Sequence, residues 1–164
     1  MTRQQLCSAA DWFREKPGRV GALKAANTLC VGGAAAAFFW SVLVSPGFQD
    51  PMRSLRIALT CGVPFVLVSA ARHLLDLPRP FEVYDFEPVL PREKPGRSFP
   101  SRHVFSICVI GTVWCFLKPW VGVVLLALGV GLAAMRVVTG LHFPRDVLAG
   151  AAVGVAAGLI GMLV

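Results

Sequence analysis

Two histidines and a set of arginines, placed where apolar segments begin and end, are the residues of this chain best suited to chemistry. His103 follows Ser101 and Arg102 at the start of one apolar run, and His142 precedes another with Asp146 four residues beyond it. A neutral imidazole can attack phosphorus, and a second imidazole can protonate the oxygen that departs. A carboxylate bonded to one ring nitrogen makes the other nitrogen a better nucleophile. His142 with Asp146 therefore reads as a nucleophile with its orienting group, and His103 as the general acid. Arg72, Arg79, Arg102, Arg136 and Arg145 stand at or just beyond the ends of the same apolar segments. Guanidinium is planar and pairs with two phosphate oxygens at once, so several arginines suit one phosphoryl group. Ser101 and the amides after Pro100 open a helix, where free N–H groups and the helix dipole favour an anion. Taken singly, each histidine reads as a structural residue and each arginine as a snorkelling side chain. Neither explains their joint presence at the ends of four spans.

The elements that must position these residues are membrane helices. Of the 164 residues 55% are hydrophobic and only 15% charged, and the mean hydropathy is +0.66. A soluble domain carries about a quarter charged residues. The net charge of +7 and a pI near 9.7 suit an anionic membrane surface or an anionic substrate, with nucleic acid the least compatible partner. Apolar runs cover 27–44, 55–71, 104–117, 120–138 and 147–164. The third is short for a span unless its helix opens at Ser101. Backbone groups in lipid must be satisfied within the segment, so the runs predict helices. The expected fold is all-α: a polytopic membrane helix bundle of about five transmembrane helices plus an N-terminal interfacial helix. The organisation is a 1–26 amphipathic segment and a 27–164 membrane-embedded unit. Packing of the N-terminal helix on the rest of the protein is an equal alternative to a place in the interface. Residues 73–100 carry Pro78, Pro80, Pro88, Pro91, Pro95 and Pro100, which predicts an irregular polar rim.

Alternation across the membrane brings the rim and the 135–146 region to one side, with the N-terminus beside them and the C-terminus opposite. Pro64 predicts a kink in the second span. Gly150, Gly154 and Gly158 share one face of the last helix. Close packing within the chain is the first reading of that face, and a homodimer seam the second. Cys7, Cys30, Cys61, Cys108 and Cys115 form no CxxC pair and read as packing residues.

Three stretches together resemble the signature of the type 2 phosphatidic acid phosphatase family, which also includes vanadium haloperoxidases and glucose-6-phosphatase. They are Arg72 through Arg79-Pro80, then Pro100-Ser101-Arg102-His103, then Arg136 with His142 and Asp146. The resemblance implies that Arg72, Arg79 and Arg136 bind phosphate, helped by Ser101 and the Arg102 amide. It implies that His103 is the acid, His142 the nucleophile and Asp146 its partner, with no metal and no cofactor. The implied reaction is dephosphorylation of a lipid phosphate or pyrophosphate. Candidate lipids are a polyprenyl such as undecaprenyl pyrophosphate, or phosphatidate or phosphatidylglycerophosphate. The chain departs from the family pattern at Arg72, usually lysine, at Arg102, usually glycine, and at Met135, usually serine.

Five apolar spans argue against the soluble haloperoxidases. A non-catalytic protein that binds phospholipid headgroups would keep the arginines but has no need of His103, His142 and Asp146 together. The expected location is a bacterial cytoplasmic membrane, crossed several times. The resemblance puts the site on the extracytoplasmic face. Charge bias points to the cytoplasm, since only Arg53, Arg56 and Lys118 fall on the opposite side.

Overall fold

The computed structural model describes residues 2–43, 50–91 and 95–164. Among these residues seven helices follow one another: α1 (Arg3–Arg14), α2 (Pro17–Leu43), α3 (Pro51–Leu75), α4 (Pro80–Val83), α5 (Arg102–Leu117), α6 (Pro119–Val138) and α7 (Pro144–Leu163). No strand occurs among the described residues. Proline opens five of the helices, where its missing N–H costs nothing and its fixed φ suits the first turn. Asp50 caps α3, its Oδ1 accepting from the amides of Met52 at 3.1 Å and Arg53 at 3.2 Å.

Helices α2, α3, α6 and α7 are long and apolar enough to cross a membrane. Their outward side chains, such as Leu59, Val66, Leu67, Val130 and Ile160, are exposed, as lipid-facing residues of a multi-pass protein must be. Helix α5 has 16 residues. At 1.5 Å per residue it spans roughly 24 Å, less than the ~30 Å hydrocarbon core. It sits at the centre of the bundle, packed against α2, α3, α6 and α7. Residues Ile107 to Trp114 are buried without interruption. A helix so enclosed is screened from lipid, so its length need not match the bilayer.

Glycine allows the closest approach, between α5 and α7. A Cβ at Gly150 would lie 2.5 Å from the Ser101 carbonyl oxygen, and one at Gly154 2.6 Å from that of Phe105. One at Gly158 would lie 2.6 Å from Thr112 Cβ. The stripe is therefore packed inside the chain, with α5 on that face, as in the first of the two readings. The contacts run in register from the first turns of both helices. Their amino ends consequently meet, and the Ser101 amide donates to the Asp146 carbonyl at 2.8 Å.

Helix α2 begins at Pro17, before the apolar run that opens at residue 27. Alanine and glycine between 21 and 26 carry the helix past Lys24 without a break. Helix α1 packs on the rest of the chain, one of the two readings open from the sequence. Leu6 and Ala10 are buried, Arg3 Nε donates to the Tyr84 carbonyl at 2.9 Å, and Arg14 Nη2 donates to that of Glu87 at 2.9 Å. Trp12 still faces outward, with the Arg19 guanidinium 3.8 Å above its ring. Helix α3 continues through Pro64 to Leu75. Beyond it the described residues of the rim are irregular apart from α4. Val44, at the end of the first apolar run, and Arg92 and Lys94 of the rim lie outside the described residues.

Candidate active site

The turn between α6 and α7 sets His142. Gly140 adopts φ 74°, and the amides of Leu141 and His142 both fold back onto the Arg136 carbonyl at 3.1 Å. This is the left-handed glycine stop of a helix, and a Cβ at Gly140 would also strike the Phe86 ring. Phe143 then caps α7 and Pro144 opens it. Asp146 falls in the first turn, where its Oδ2 accepts from the Phe143 amide at 3.0 Å. That single bond aims the carboxylate back toward His142.

His142 and Asp146 are both buried. His142 Nδ1 lies 3.7 Å from Asp146 Oδ2, an ion-pair distance longer than a hydrogen bond. Ser98 closes the gap. Its hydroxyl donates to the same Oδ2 at 2.5 Å and sits 3.5 Å from His142 Nδ1. On the other carboxylate oxygen, Oδ1, the Arg145 Nε stands at 3.5 Å. The imidazole edge carrying Nδ1 is thus held against the Ser98–Asp146 pair, an arrangement that reserves Nε2 for chemistry.

The arginines are held as firmly. Arg72, near the end of α3, donates through Nη1 to the Ser98 carbonyl at 3.2 Å and to that of Pro100. Arg79, in the rim, donates through Nε to the Gly96 carbonyl at 3.1 Å and through Nη1 to that of Leu141 at 3.3 Å. Glu82 anchors this stretch by accepting from the amides of Arg79 at 2.8 Å and Gly96 at 2.9 Å. Arg136 occupies the last turn of α6 and is buried. Ser101 caps α5, is fully buried, and its hydroxyl has no hydrogen-bond partner among the described residues. A buried hydroxyl left so at a helix amino end is suited to an anion.

All eight expected residues therefore gather at one end of the bundle, in two shells. His142, Asp146, Arg136 and Ser101 are buried behind. Arg72, Arg79, Arg102 and His103 line an open cavity of about 700 Å³ in front, joined by His73 and Arg97. The Arg102 side chain is exposed, with its guanidinium 5.6 Å from the Phe65 ring centroid. A second, apolar cavity of about 510 Å³ runs between α2, α3 and α5 past Ala34, Phe38, Cys61 and Phe65. Arg102 and His103 line both cavities. Met135, where the family has serine, packs against the apolar cluster of Phe81, Leu90 and Leu141. Ser98 was not foreseen. Its only mark in the sequence is a place shortly before Pro100-Ser101, which carries no chemical signal by itself. Among the described residues no three His, Cys, Asp or Glu side chains come together as a metal site.

Comparison with known proteins gives a consistent result. The chain resembles LpxE from Aquifex aeolicus in structure, at 23% identity and a TM-score of 0.72, over 91% of this chain and 88% of that one. It also resembles a transmembrane PAP2 type phosphatidylglycerolphosphate phosphatase from Bacillus subtilis. There the identity is 19% and the TM-score 0.66, over 98% of this chain and 82% of that one. No curated protein sequence matches. The family model of the PAP2 superfamily matches residues 53–164, a stretch that contains every motif residue named above. The chain is a multi-pass membrane protein that belongs to the PAP2 superfamily, the type 2 phosphatidic acid phosphatases.

Proposed function

We propose that this protein removes a phosphoryl group from a lipid phosphate or diphosphate through a phosphohistidine on His142. The observation that carries the reading is the Ser98–Asp146–His142 arrangement, buried with Arg136 behind a polar cavity that Arg72, Arg79, Arg102 and His103 line, the last two also lining an apolar cavity. The apolar cavity accommodates the tail and the polar one the headgroup. Arg72, Arg79 and Arg136, with the Ser101 hydroxyl, neutralise the charge that builds on the equatorial oxygens of the transferring group. His142 Nε2 forms the N–P bond while the bond from phosphorus to the lipid oxygen breaks. His103 supplies the proton to that oxygen. Water, deprotonated by the same His103, then attacks phosphorus, breaks the N–P bond and releases inorganic phosphate. Asp146 holds the imidazole and stabilises its positive charge during the first step.

Among tails, a polyprenyl chain is preferred, and phosphatidate or phosphatidylglycerophosphate follow. The membrane is the bacterial cytoplasmic membrane. Positive-inside bias supports a cytoplasmic site, and the family resemblance supports an extracytoplasmic one. A tag at the N-terminus, which shares the site's end of the bundle, decides between them by its accessibility in intact cells.

A panel of lipid phosphates assayed with the purified protein tests the reading. Wild type releases phosphate from at least one lipid, without added metal and in the presence of EDTA, and vanadate inhibits. His142→Ala lowers kcat by about 10⁴-fold or more, the scale of losing a covalent nucleophile. Release by wild type equal to that of His142→Ala, on every lipid of the panel, favours a headgroup-binding protein instead.

A further inference from the structure

The two sets of cations at this site differ in a way the reaction on a single phosphate does not require. Arg72, Arg79 and Arg136 are buried and, for the first two, fastened to backbone carbonyls. Arg102 and Arg97 are exposed and line the same cavity as Arg72 and Arg79, with His73 beside. Arg97 Nε stands 3.9 Å from Asp76 Oδ1. Arg102 stands over Phe65 at the seam between the polar cavity and the apolar one. Any lipid whose tail lies along Phe38 and Phe65 and whose terminal phosphate reaches the buried arginines must pass Arg102 and His103 between the two.

Resting on the function proposed above, we infer that Arg102, with Arg97 and His73 around the same mouth, forms an outer anion subsite. It holds the second phosphate of a lipid diphosphate, which makes the diphosphate the preferred substrate class. The chemistry at that position differs between the two substrates. In a diphosphate, His142 attacks the terminal phosphorus, the bond to the bridging oxygen breaks, and the leaving group is the lipid monophosphate. Its departing oxygen belongs to a phosphate, a good leaving group that gains charge and needs a fixed cation more than a proton. In a monophosphate, the leaving oxygen is an alkoxide unless His103 protonates it as the P–O bond breaks. Arg102 therefore serves the first substrate and His103 the second, although they are neighbours at the same seam. A guanidinium that only snorkels along Phe65 would show no such preference.

The test uses the intact protein in detergent micelles with one prenyl tail supplied both as diphosphate and as monophosphate. Comparing kcat/KM for the two substrates cancels losses that come from folding or from the shared phosphate ring. For Arg102→Ala the ratio of diphosphate to monophosphate falls by about tenfold or more, the scale of one charge-assisted contact. Arg102→Lys, which keeps the charge, recovers the ratio to within about threefold of wild type. His103→Gln moves the ratio the other way, costing the monophosphate more than the diphosphate. If Arg102→Ala lowers both substrates equally, or neither, the outer subsite is wrong. Failure of wild type on both substrates, or activity surviving in His142→Ala, would instead defeat the phosphatase reading on which it rests.

Discussion

The two ends of the helix bundle treat arginine in opposite ways. At the far end, Arg53 and Arg56 lie on α3, and Arg56 reaches over with its Nε to the Gly161 carbonyl near the end of α7 at 2.7 Å while remaining exposed. That is the ordinary solution for a cation at a membrane boundary: the stem lies along apolar surface and the head stays wet. At the site end, Arg72, Arg79 and Arg136 are buried together with Asp146 and His142. Burying charge costs several kcal/mol per ion even after relaxation, and among the described residues most of the buried charges are positive. A fold bears such a cost where an anion is to be received, and the far end shows that the same helices have a cheaper option.

Breaking that contrast gives effects that should fall in order. Arg79→Ala removes a buried cation and its two carbonyl bonds, and kcat/KM should drop by about 10²–10³-fold. A loss below about tenfold would reduce the buried ring to scaffolding. Gly150→Ala brings a Cβ to 2.5 Å from the Ser101 carbonyl, a backbone atom that no rotamer change can move aside. Overpacking of this kind costs about 1–3 kcal/mol. A lower midpoint in thermal unfolding in detergent should accompany a fall in activity of roughly tenfold. Normal activity and stability there would show that the α5–α7 register does not set the site. Ser98→Ala leaves Asp146 to hold His142 across 3.7 Å without the bridging hydroxyl. A loss of about threefold to tenfold in kcat, with KM little changed, is expected for an orienting contact of this kind. Arg56→Ala, at the other end, should leave kcat/KM within about twofold of wild type, as an exposed interfacial cation allows. A large loss there would mean that the two ends are coupled.

What was legible in the sequence follows from which signals are local. Hydropathy over long runs marks α2, α3, α6 and α7 because lipid demands apolar residues throughout a helix. The same signal understates α5, whose 16 residues need satisfy only their neighbours. It also misplaces the start of α2, because helix propensity in the alanine-rich stretch continues where hydropathy has already fallen. The motif residues were legible because arginine and histidine at span ends are costly and so stand out. Ser98 was not, since a serine in a proline-rich rim looks like any loop residue until Asp146 is seen beside it. The outward turn of Arg102 was equally hidden, because spacing fixes a position on a helix and not what its side chain touches.

The central claim is that His142 becomes covalently phosphorylated. Rapid quenching of wild type with a lipid phosphate radiolabelled in the transferred group measures this directly. The protein should carry label that is stable in alkali and lost in acid, as a phosphoramidate is, and His142→Ala should carry none. Phosphate release by wild type with no trapped label at any quench time, together with turnover by His142→Ala, would contradict it.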